Sequence, residues 1–135
     1  MKITETYKAL AGKSILMVDD EEVVAEVIKE VVGPVVGSLD TAYDGEQAFT
    51  KIMEKDYDFI LMDIQMPRMN GVEFYNSILE HKPHLRDRIV FITGDTESET
   101  TRSFIKRTRC PSLDKPFIIK ELLELMAGRG AGTRH

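Results

Sequence analysis

The stretch SILMVDD, residues 14–20, is an apolar run that ends in two adjacent aspartates, Asp19 and Asp20. A second run of the same kind, FILMD at residues 59–63, ends in Asp63. Short runs that are almost wholly apolar are typical of strands buried on both faces of a parallel sheet. The carboxyl ends of parallel strands lie at one edge of the sheet, where open α/β folds place their sites. We therefore expect the three carboxylates to meet at that edge.

Strand-like and helix-like segments alternate five times along the chain. The predicted strands are Ser14–Val18, Val35–Thr41, Asp58–Met62, Arg88–Thr93 and Ser112–Asp114. This alternation predicts a doubly wound α/β fold, with a five-stranded parallel sheet and helices on both of its faces. Thr93 ends the fourth strand and Lys115 follows the fifth, so a hydroxyl and an ammonium are expected at the same edge as the acids.

Apolar residues between the strands, and after the last of them, recur at helical spacing. Two such stripes are Val24, Val27, Ile28 and Val31, and Ile118, Leu122, Leu125 and Met126. The spacing is that of one helix face, so both stripes are predicted to pack against the core. Asn70 followed by Glu73 is a capping-box pattern, which predicts the start of a further helix.

The chain has 135 residues, of which 42% are hydrophobic, enough for one domain with its own core. We predict this domain at residues 13–127. Residues 1–12 are predicted to be a linker and residues 128–135 a disordered tail, because neither end carries a periodic apolar pattern.

Composition also limits the environment and the partners. A single cysteine, Cys110, and the lack of a leader-like or long apolar segment predict a cytoplasmic domain without a membrane anchor. The net charge of -5 argues against direct binding to nucleic acid, which calls for a basic face. The basic segment Arg102–Arg109 is the exception, and we interpret it as a solvated helix face.

The three aspartates would repel one another if they shared one edge, and their pKa values would rise. A hard divalent cation removes this conflict, and Mg²⁺ prefers oxygen ligands from one or two carboxylates, water and phosphate. A solvated acidic loop is the alternative for any one of these residues taken alone. The acidic-loop alternative is less favoured when acids at the ends of two separate strands lie at one edge of the sheet. The pattern therefore predicts a Mg²⁺ site.

A carboxylate beside such a metal can attack a phosphoryl group, because the metal screens its charge from the incoming phosphate. Asp63 lies in LMDIQMPRMNG, residues 61–71, where a strand leads into a structured loop. Lys115 would supply a cation, and Thr93 a hydroxyl donor, for the phosphoryl oxygens. Together these residues predict phosphoryl transfer.

The chain resembles the CheY-like receiver domain of two-component response regulators. The matching stretches are VDDE at 18–21, DIQMPRMNG at 63–71, ITG at 92–94 and KPF at 115–117, within a resemblance that covers about residues 13–127. The resemblance implies a flavodoxin-like sheet with strand order 2-1-3-4-5. It also implies transfer of a phosphoryl group from the phosphohistidine of a histidine kinase or a histidine phosphotransfer protein, followed by a change in binding to a downstream partner.

Residue by residue, the resemblance implies that Asp63 is the phosphoacceptor. It implies that Mg²⁺ is bound directly by Asp20, with Asp19 beside it, by Asp63, and by the backbone carbonyl of Gln65. These roles follow from the matching motifs and not from the spacing alone.

The remaining roles follow in the same way. Thr93 is similar to the hydroxyl that moves to the phosphoryl group, and Lys115 to the lysine that binds it, followed by a cis peptide bond to Pro116. The family commonly has an aromatic residue three positions before this lysine, which turns inward as the threonine moves. This chain has Ser112 there. We expect neighbouring Phe residues or the helix after the fourth strand to carry the switch, with a non-switching domain as the alternative.

Two other functions stay open from the sequence. One is a receiver-like docking module that never takes phosphate. The other is a phosphohydrolase of the haloacid dehalogenase type, which resembles this chain in its Asp nucleophile but has a second aspartate where Gln65 stands. We therefore expect no enzymatic turnover of external substrates. The opening YKALAGKSILMVDDE, residues 7–21, resembles the linker into the C-terminal receiver of a hybrid histidine kinase, in which case the parent chain would be a kinase.

Overall fold

The computed structural model of the protein describes residues 2–66, 70–94 and 98–130. Within these ranges the chain forms six α-helices and five β-strands. The helices are α1 Ile3–Leu10, α2 Glu22–Val32, α3 Gly45–Glu54, α4 Gly71–His81, α5 Glu99–Thr108 and α6 Ile119–Gly130. The strands are β1 Ser14–Val18, β2 Ser38–Ala42, β3 Phe59–Asp63, β4 Ile89–Thr93 and β5 Ser112–Asp114. A short 3₁₀ helix, Pro83–Arg88, leads into β4.

The strands form one sheet in the order β2-β1-β3-β4-β5, and every neighbouring pair is parallel. This confirms the predicted α/β fold and the strand order that the resemblance implies. Parallel neighbours cannot be joined by a tight hairpin, and here a helix provides each crossover. The carboxyl ends of all five strands therefore lie at one edge of the sheet.

Side chains of β1 alternate between the two faces of the sheet, as strand geometry requires. Ile15 and Met17 join a buried cluster with residues of α1, α2 and α6, whereas Leu16 and Val18 join a second cluster with residues of α3, α4 and α5. All four side chains are 0% exposed. Burial of each contributes about 1.5–3 kcal/mol. The end of β1 is thus held between two packed layers, which fixes the position of the aspartates that follow it.

The start of β2 differs from the prediction. The backbone N–H groups of Val35 and Val36 donate to the carbonyl of Val32, at 2.9 and 3.3 Å, so both valines belong to the turn after α2. The strand begins only at Ser38. A short apolar run fits either a buried strand or the end of a helix, and local pattern cannot separate the two. The bounds of the other four strands agree with the prediction to within one residue.

The predicted core stripe of α2 is wrong at two positions. Val27 and Val31 are 50% and 47% exposed, whereas the buried residues of this helix are Ala25, Ile28 and Val32. The helix is so rich in valine that two overlapping periodic sets fit its sequence. The small side chain of Ala25 belongs to the face that packs against the sheet, and a search for large apolar residues passes over it.

The second predicted core stripe, which begins at Ile118, is confirmed except at its first residue. Leu122 and Met126 are 0% exposed, and Leu125 packs partly buried against the same core. Ile118 is 60% exposed because it precedes α6, which begins at the next residue.

The predicted N-terminal linker is also wrong in its structure, since residues 3–10 form α1. Thr6 and Leu10 are 0% exposed, and α1 packs against α6. Helices this short are unstable alone, so α1 depends on tertiary packing that its own sequence does not reveal. At the other end, α6 continues to Gly130, so residues 128–130 of the predicted tail are helical. Residues 131–135 lie outside the described ranges, and the domain limits of 13 and 127 stay predictions.

Within the described residues, no helix is both long and apolar enough to cross a lipid bilayer.

Candidate functional site

The carboxyl edge of the sheet carries five of the predicted site residues. Asp19 and Asp20 directly follow β1, Asp63 ends β3, Thr93 ends β4 and Lys115 directly follows β5. The parallel register of β1 with β3, of β3 with β4 and of β4 with β5 brings these strand ends side by side. The edge that the sequence predicts as the site is therefore where these residues lie.

Asp19, Asp20 and Asp63 each place a carboxylate oxygen within 4.8 Å of the other two. Among the described residues, these three form a cluster that could hold a metal ion. Asp19 and Asp63 are buried, at 0% and 3% exposure, while Asp20 is exposed. An all-oxygen donor set with one solvent-facing side suits Mg²⁺, which keeps several water ligands. The residues present fit the predicted metal.

Lys115 places its ammonium group among these acids. Its Nζ donates to Oδ2 of Asp63 at 2.8 Å and lies 3.5 Å from Oδ2 of Asp19 and 3.7 Å from Oε1 of Glu21. Burial by itself lowers the pKa of Lys115, but the hydrogen bond to Asp63 and the charges of the three acids outweigh it, so the pKa is raised. Lys115 is thus a fixed cation beside Asp63.

Each buried acid also accepts a hydrogen bond from the backbone two residues ahead. The N–H of Glu21 donates to Oδ1 of Asp19 at 2.9 Å, and the N–H of Gln65 donates to Oδ1 of Asp63 at 2.8 Å. Burial raises the pKa of Asp19, and the bond from Glu21 and the charge of Lys115 offset that rise only in part. A cation placed near Asp19 therefore stabilises its ionised form.

Two contacts of the site were not predicted from the sequence. Glu21 adds a third carboxylate around Lys115, and only its position directly after the aspartate pair could have indicated this. The side chain of Gln65 accepts, through Oε1, a hydrogen bond from the N–H of Gly94 at 3.1 Å. That bond joins the loop after β3 to the loop after β4. The resemblance selects Gln65 for its backbone carbonyl alone, and no local pattern indicates a bond between segments this far apart in sequence.

Thr93 is 2% exposed, and its carbonyl accepts from the N–H of Lys115 at 2.8 Å. Ser112, at the start of β5, is exposed. A cavity of about 310 Å³ is lined by Thr93, Ser112 and Ile105 of α5, among other residues. Open space thus lies beside both the threonine and the serine. The peptide bond between Lys115 and Pro116 is cis, as the resemblance implies.

Residues 67–69 and 95–97 lie outside the described ranges. The helix that follows the first of them is described, and it begins as the sequence predicts. The side chain of Asn70 accepts from the N–H groups of Val72 and Glu73, which caps α4.

Comparison with known proteins gives a family match over most of the chain. Residues 15–127 match the family model described as the response regulator receiver domain. The chain is 32% identical over 111 residues to the autoinducer 2 sensor kinase/phosphatase LuxQ of Vibrio vulnificus, covering 82% of this chain and 13% of that protein. It is 28% identical over 109 residues to the response regulator ArlR of Staphylococcus aureus, covering 81% of this chain and 48% of that protein. The chain therefore spans less than half the length of either relative.

Solved structures agree in fold. The chemotaxis protein CheY4 of Vibrio cholerae is 26% identical, with a TM-score of 0.76, over 86% of this chain and 97% of that one. The response regulator TrrA of Thermotoga maritima, solved in complex with Mg²⁺ and BeF, is 31% identical, with a TM-score of 0.72, over 87% of this chain and 98% of that one. These matches favour neither the docking module nor the haloacid dehalogenase-type hydrolase.

Proposed function

Because this chain belongs to the response regulator receiver domain family of two-component signalling, we propose that Asp63 is the residue on which it accepts a phosphoryl group. The observation that carries the assignment is the position of Asp63 at the end of β3, with the ammonium of Lys115 at 2.8 Å and two further carboxylates within 4.8 Å. Asp19 is also buried, but its contact with Lys115 is longer, at 3.5 Å. Asp20 has no ion pair with a described cation.

In the proposed reaction, an oxygen of Asp63 forms a bond to phosphorus while the P–N bond of a phosphohistidine breaks. The electron pair of that bond leaves on the imidazole nitrogen. Lys115 binds a phosphoryl oxygen once its own bond to Asp63 is released, which keeps a cation next to the transferred charge. The hydroxyl of Thr93, at the end of the neighbouring strand, donates to a second phosphoryl oxygen.

The acids around Asp63 hold the metal in this proposal. Asp19, Asp20 and Asp63 would bind Mg²⁺, together with the backbone carbonyl of Gln65. Bound Mg²⁺ would screen the negative charge of the nucleophile from that of the phosphate. Support for this part comes from the all-oxygen donor set, from the solvent-facing side at Asp20, and from the elevated pKa of Asp19, whose main cause is burial.

The phosphodonor in this proposal is a histidine kinase or a histidine phosphotransfer protein, and the product is a receiver with altered binding to a downstream protein. Two arrangements of the parent chain are compatible with it. The match to LuxQ, a sensor kinase/phosphatase, supports a receiver joined to a kinase, as the resemblance of residues 7–21 also indicates. The match to ArlR supports a receiver within a response regulator. The length of the full gene product distinguishes the two.

Phosphorylation by a small donor tests the function without knowledge of the kinase. Incubation with acetyl phosphate and Mg²⁺ should add one phosphoryl group that is stable in acid and labile in base, as an acyl phosphate is. Chelation of Mg²⁺ before the donor is added should prevent the reaction. Phosphorylation at full rate in excess chelator would contradict the proposed role of the acids.

A further inference from the structure

A groove between α4 and α5 lies outside the carboxylate site. Its volume is about 340 Å³, within the range of about 300–1,000 Å³ that small-ligand pockets occupy. Tyr75 of α4 and Phe104 and Thr108 of α5 are among the residues that line it. No acidic residue is among the described residues that line this groove.

Two arginines contribute positive charge to the groove. Arg86 comes from the 3₁₀ helix before β4, and Arg107 comes from α5. Neither arginine forms an ion pair with an acid among the described residues. In a chain of net charge -5, two guanidinium groups at one groove without a carboxylate partner are an exception to the overall charge. The basic residues Arg102, Lys106 and Arg107 of α5 are exposed, as expected for the solvated helix face that the sequence indicates, and Arg107 also lines this groove.

The inner wall of the groove is aromatic and closely packed. Tyr75 and Phe104 are 5% and 4% exposed and meet edge to face, with ring centroids 5.5 Å apart. Thr108 is 7% exposed, and its hydroxyl is held by a bond of 2.7 Å to the carbonyl of Ile105. The groove therefore joins an apolar wall to a cationic rim.

We propose that this groove binds a small organic anion, in which a carboxylate or phosphate group is carried on an aromatic or short apolar body. The anionic group binds Arg86 and Arg107, since guanidinium groups form paired hydrogen bonds with the oxygens of carboxylates and phosphates. The apolar body packs against Phe104 and the ring of Tyr75. Such a ligand also removes the repulsion between the two cations.

The position of the groove connects it to the phosphoacceptor site, and this part of the inference rests on the proposed function. Helix α4 follows the loop after Asp63, and α5 follows the loop after Thr93. If phosphorylation changes the spacing of these helices, a ligand that contacts both of them binds the phosphorylated and unphosphorylated protein with different affinities. By thermodynamic linkage, the ligand then changes the phosphorylation equilibrium by the same factor.

Phenylphosphonate is a suitable probe, because its P–C bond cannot transfer a phosphoryl group to Asp63. Titration of the full chain, followed by ¹H–¹⁵N NMR, should give saturable shifts at Tyr75, Phe104 and Thr108. Inorganic phosphate and benzyl alcohol, which each carry half of the probe, should bind more weakly. Chemical shift changes that do not saturate, or equal affinities for phenylphosphonate, inorganic phosphate and benzyl alcohol, would overturn the proposed binding site.

Charge-removing variants locate the binding. Arg107→Gln should weaken phenylphosphonate binding about tenfold or more, the range for loss of a charged hydrogen bond. Arg86→Gln should act in the same direction. Arg102→Gln is the matched control, since Arg102 lies on the same helix but lines the other cavity. An equal loss in Arg102→Gln and Arg107→Gln would mean a general charge effect and would overturn the proposal.

The coupling is tested separately, by repeating the titration with Mg²⁺ and beryllofluoride. We expect the affinity for phenylphosphonate to change about fivefold or more, the lower end of typical coupling between sites. Equal affinities in the two states would overturn the coupling. Since binding in the absence of beryllofluoride does not depend on Asp63, failure of the groove and failure of the phosphoacceptor assignment give different results.

Discussion

The Nζ atom of Lys115 donates a hydrogen bond of 2.8 Å to Oδ2 of Asp63, although 52 positions separate the two residues in sequence. The bond joins the end of β3 to the residue after β5, across the intervening strand β4. It shows how the sheet brings a cation to a buried acid that lies beside two other carboxylates. In the proposed reaction this bond is released when Asp63 takes the phosphoryl group, so we expect Lys115 to affect both the stability of the fold and phosphorylation.

Lys115→Ala should leave the protein folded but slow its phosphorylation or remove the response to it. The variant removes a charged hydrogen bond that contributes about 1.5–3 kcal/mol, which corresponds to about a 10- to 100-fold effect. It also leaves Asp19 and Asp63 without their cation, so its melting temperature should fall in the absence of Mg²⁺ and recover partly when Mg²⁺ is added. Rates of labelling by acetyl phosphate and circular dichroism melts measure both effects. A variant with unchanged labelling and an unchanged spectral response to phosphate would contradict the role of Lys115.

Asp20→Ala should remove most of the binding of Mg²⁺ and, with it, phosphorylation. Ligand binding to the folded state alone raises stability by mass action, so the wild-type melting temperature should rise with Mg²⁺ concentration and that of the variant should not. Without metal, the variant should be as stable as the wild type or more stable, because one repelling charge is gone. Asp114→Ala, an exposed acid on β5, is the control and should keep the metal-dependent shift. A shift of wild-type size in Asp20→Ala would place the metal elsewhere.

Leu10→Ala tests whether α1 is part of the folded domain. Leu10 is 0% exposed within the core cluster that includes α2 and α6, so its truncation should cost about 2–5 kcal/mol of unfolding free energy. Ile3→Ala, on the same helix but 49% exposed, should cost much less. Urea denaturation followed by circular dichroism measures both. Equal and small losses would mean that α1 is an appended segment, as the sequence predicts for residues 1–12.

The absence of an aromatic residue at position 112 should confine the phosphorylation switch to one side of the site. A ligand shifts a conformational equilibrium only through contacts that differ between the two states, and Thr93 can supply one by moving its hydroxyl. We expect changes in Gly94, in Ser98 and along α5, with little change around Ser112. The predicted loop also includes residues 95–97, which lie outside the described ranges. Backbone amide shifts with and without beryllofluoride measure this, and changes at Ser112 and Leu113 as large as those at Thr93 would refute it.

Much of the sheet and the carboxyl edge could be predicted from the sequence. Strands buried on both faces need apolar runs, and the polar residue that ends each run lies at the edge by the geometry of parallel strands. For that reason Asp19, Asp63 and Lys115 could be placed together without knowledge of any contact. The bounds of β1 agree with the prediction for the same reason.

The features that were missed depend on tertiary contacts. Helix α1 is too short to be stable by propensity, and it forms because Leu10 is buried against α6 and its neighbours. The buried face of α2 includes Ala25, a small residue that a search for large apolar side chains passes over. Hydrogen bonds such as that from Gly94 to Gln65 join two loops, and their geometry is set by strand register, which no single segment encodes.

The most direct test of the central claim is to locate the phosphoryl group. After reaction with acetyl phosphate and Mg²⁺, intact-mass spectrometry should show one phosphoryl group on the wild type and on Asp114→Asn, and none on Asp63→Asn. Circular dichroism should show that Asp63→Asn is folded, because the amide can still accept the bond from Gln65. Borohydride reduction and peptide mapping of the wild type should place the modification at residue 63. Labelling of Asp63→Asn to the wild-type extent would contradict the assignment of Asp63 as the phosphoacceptor.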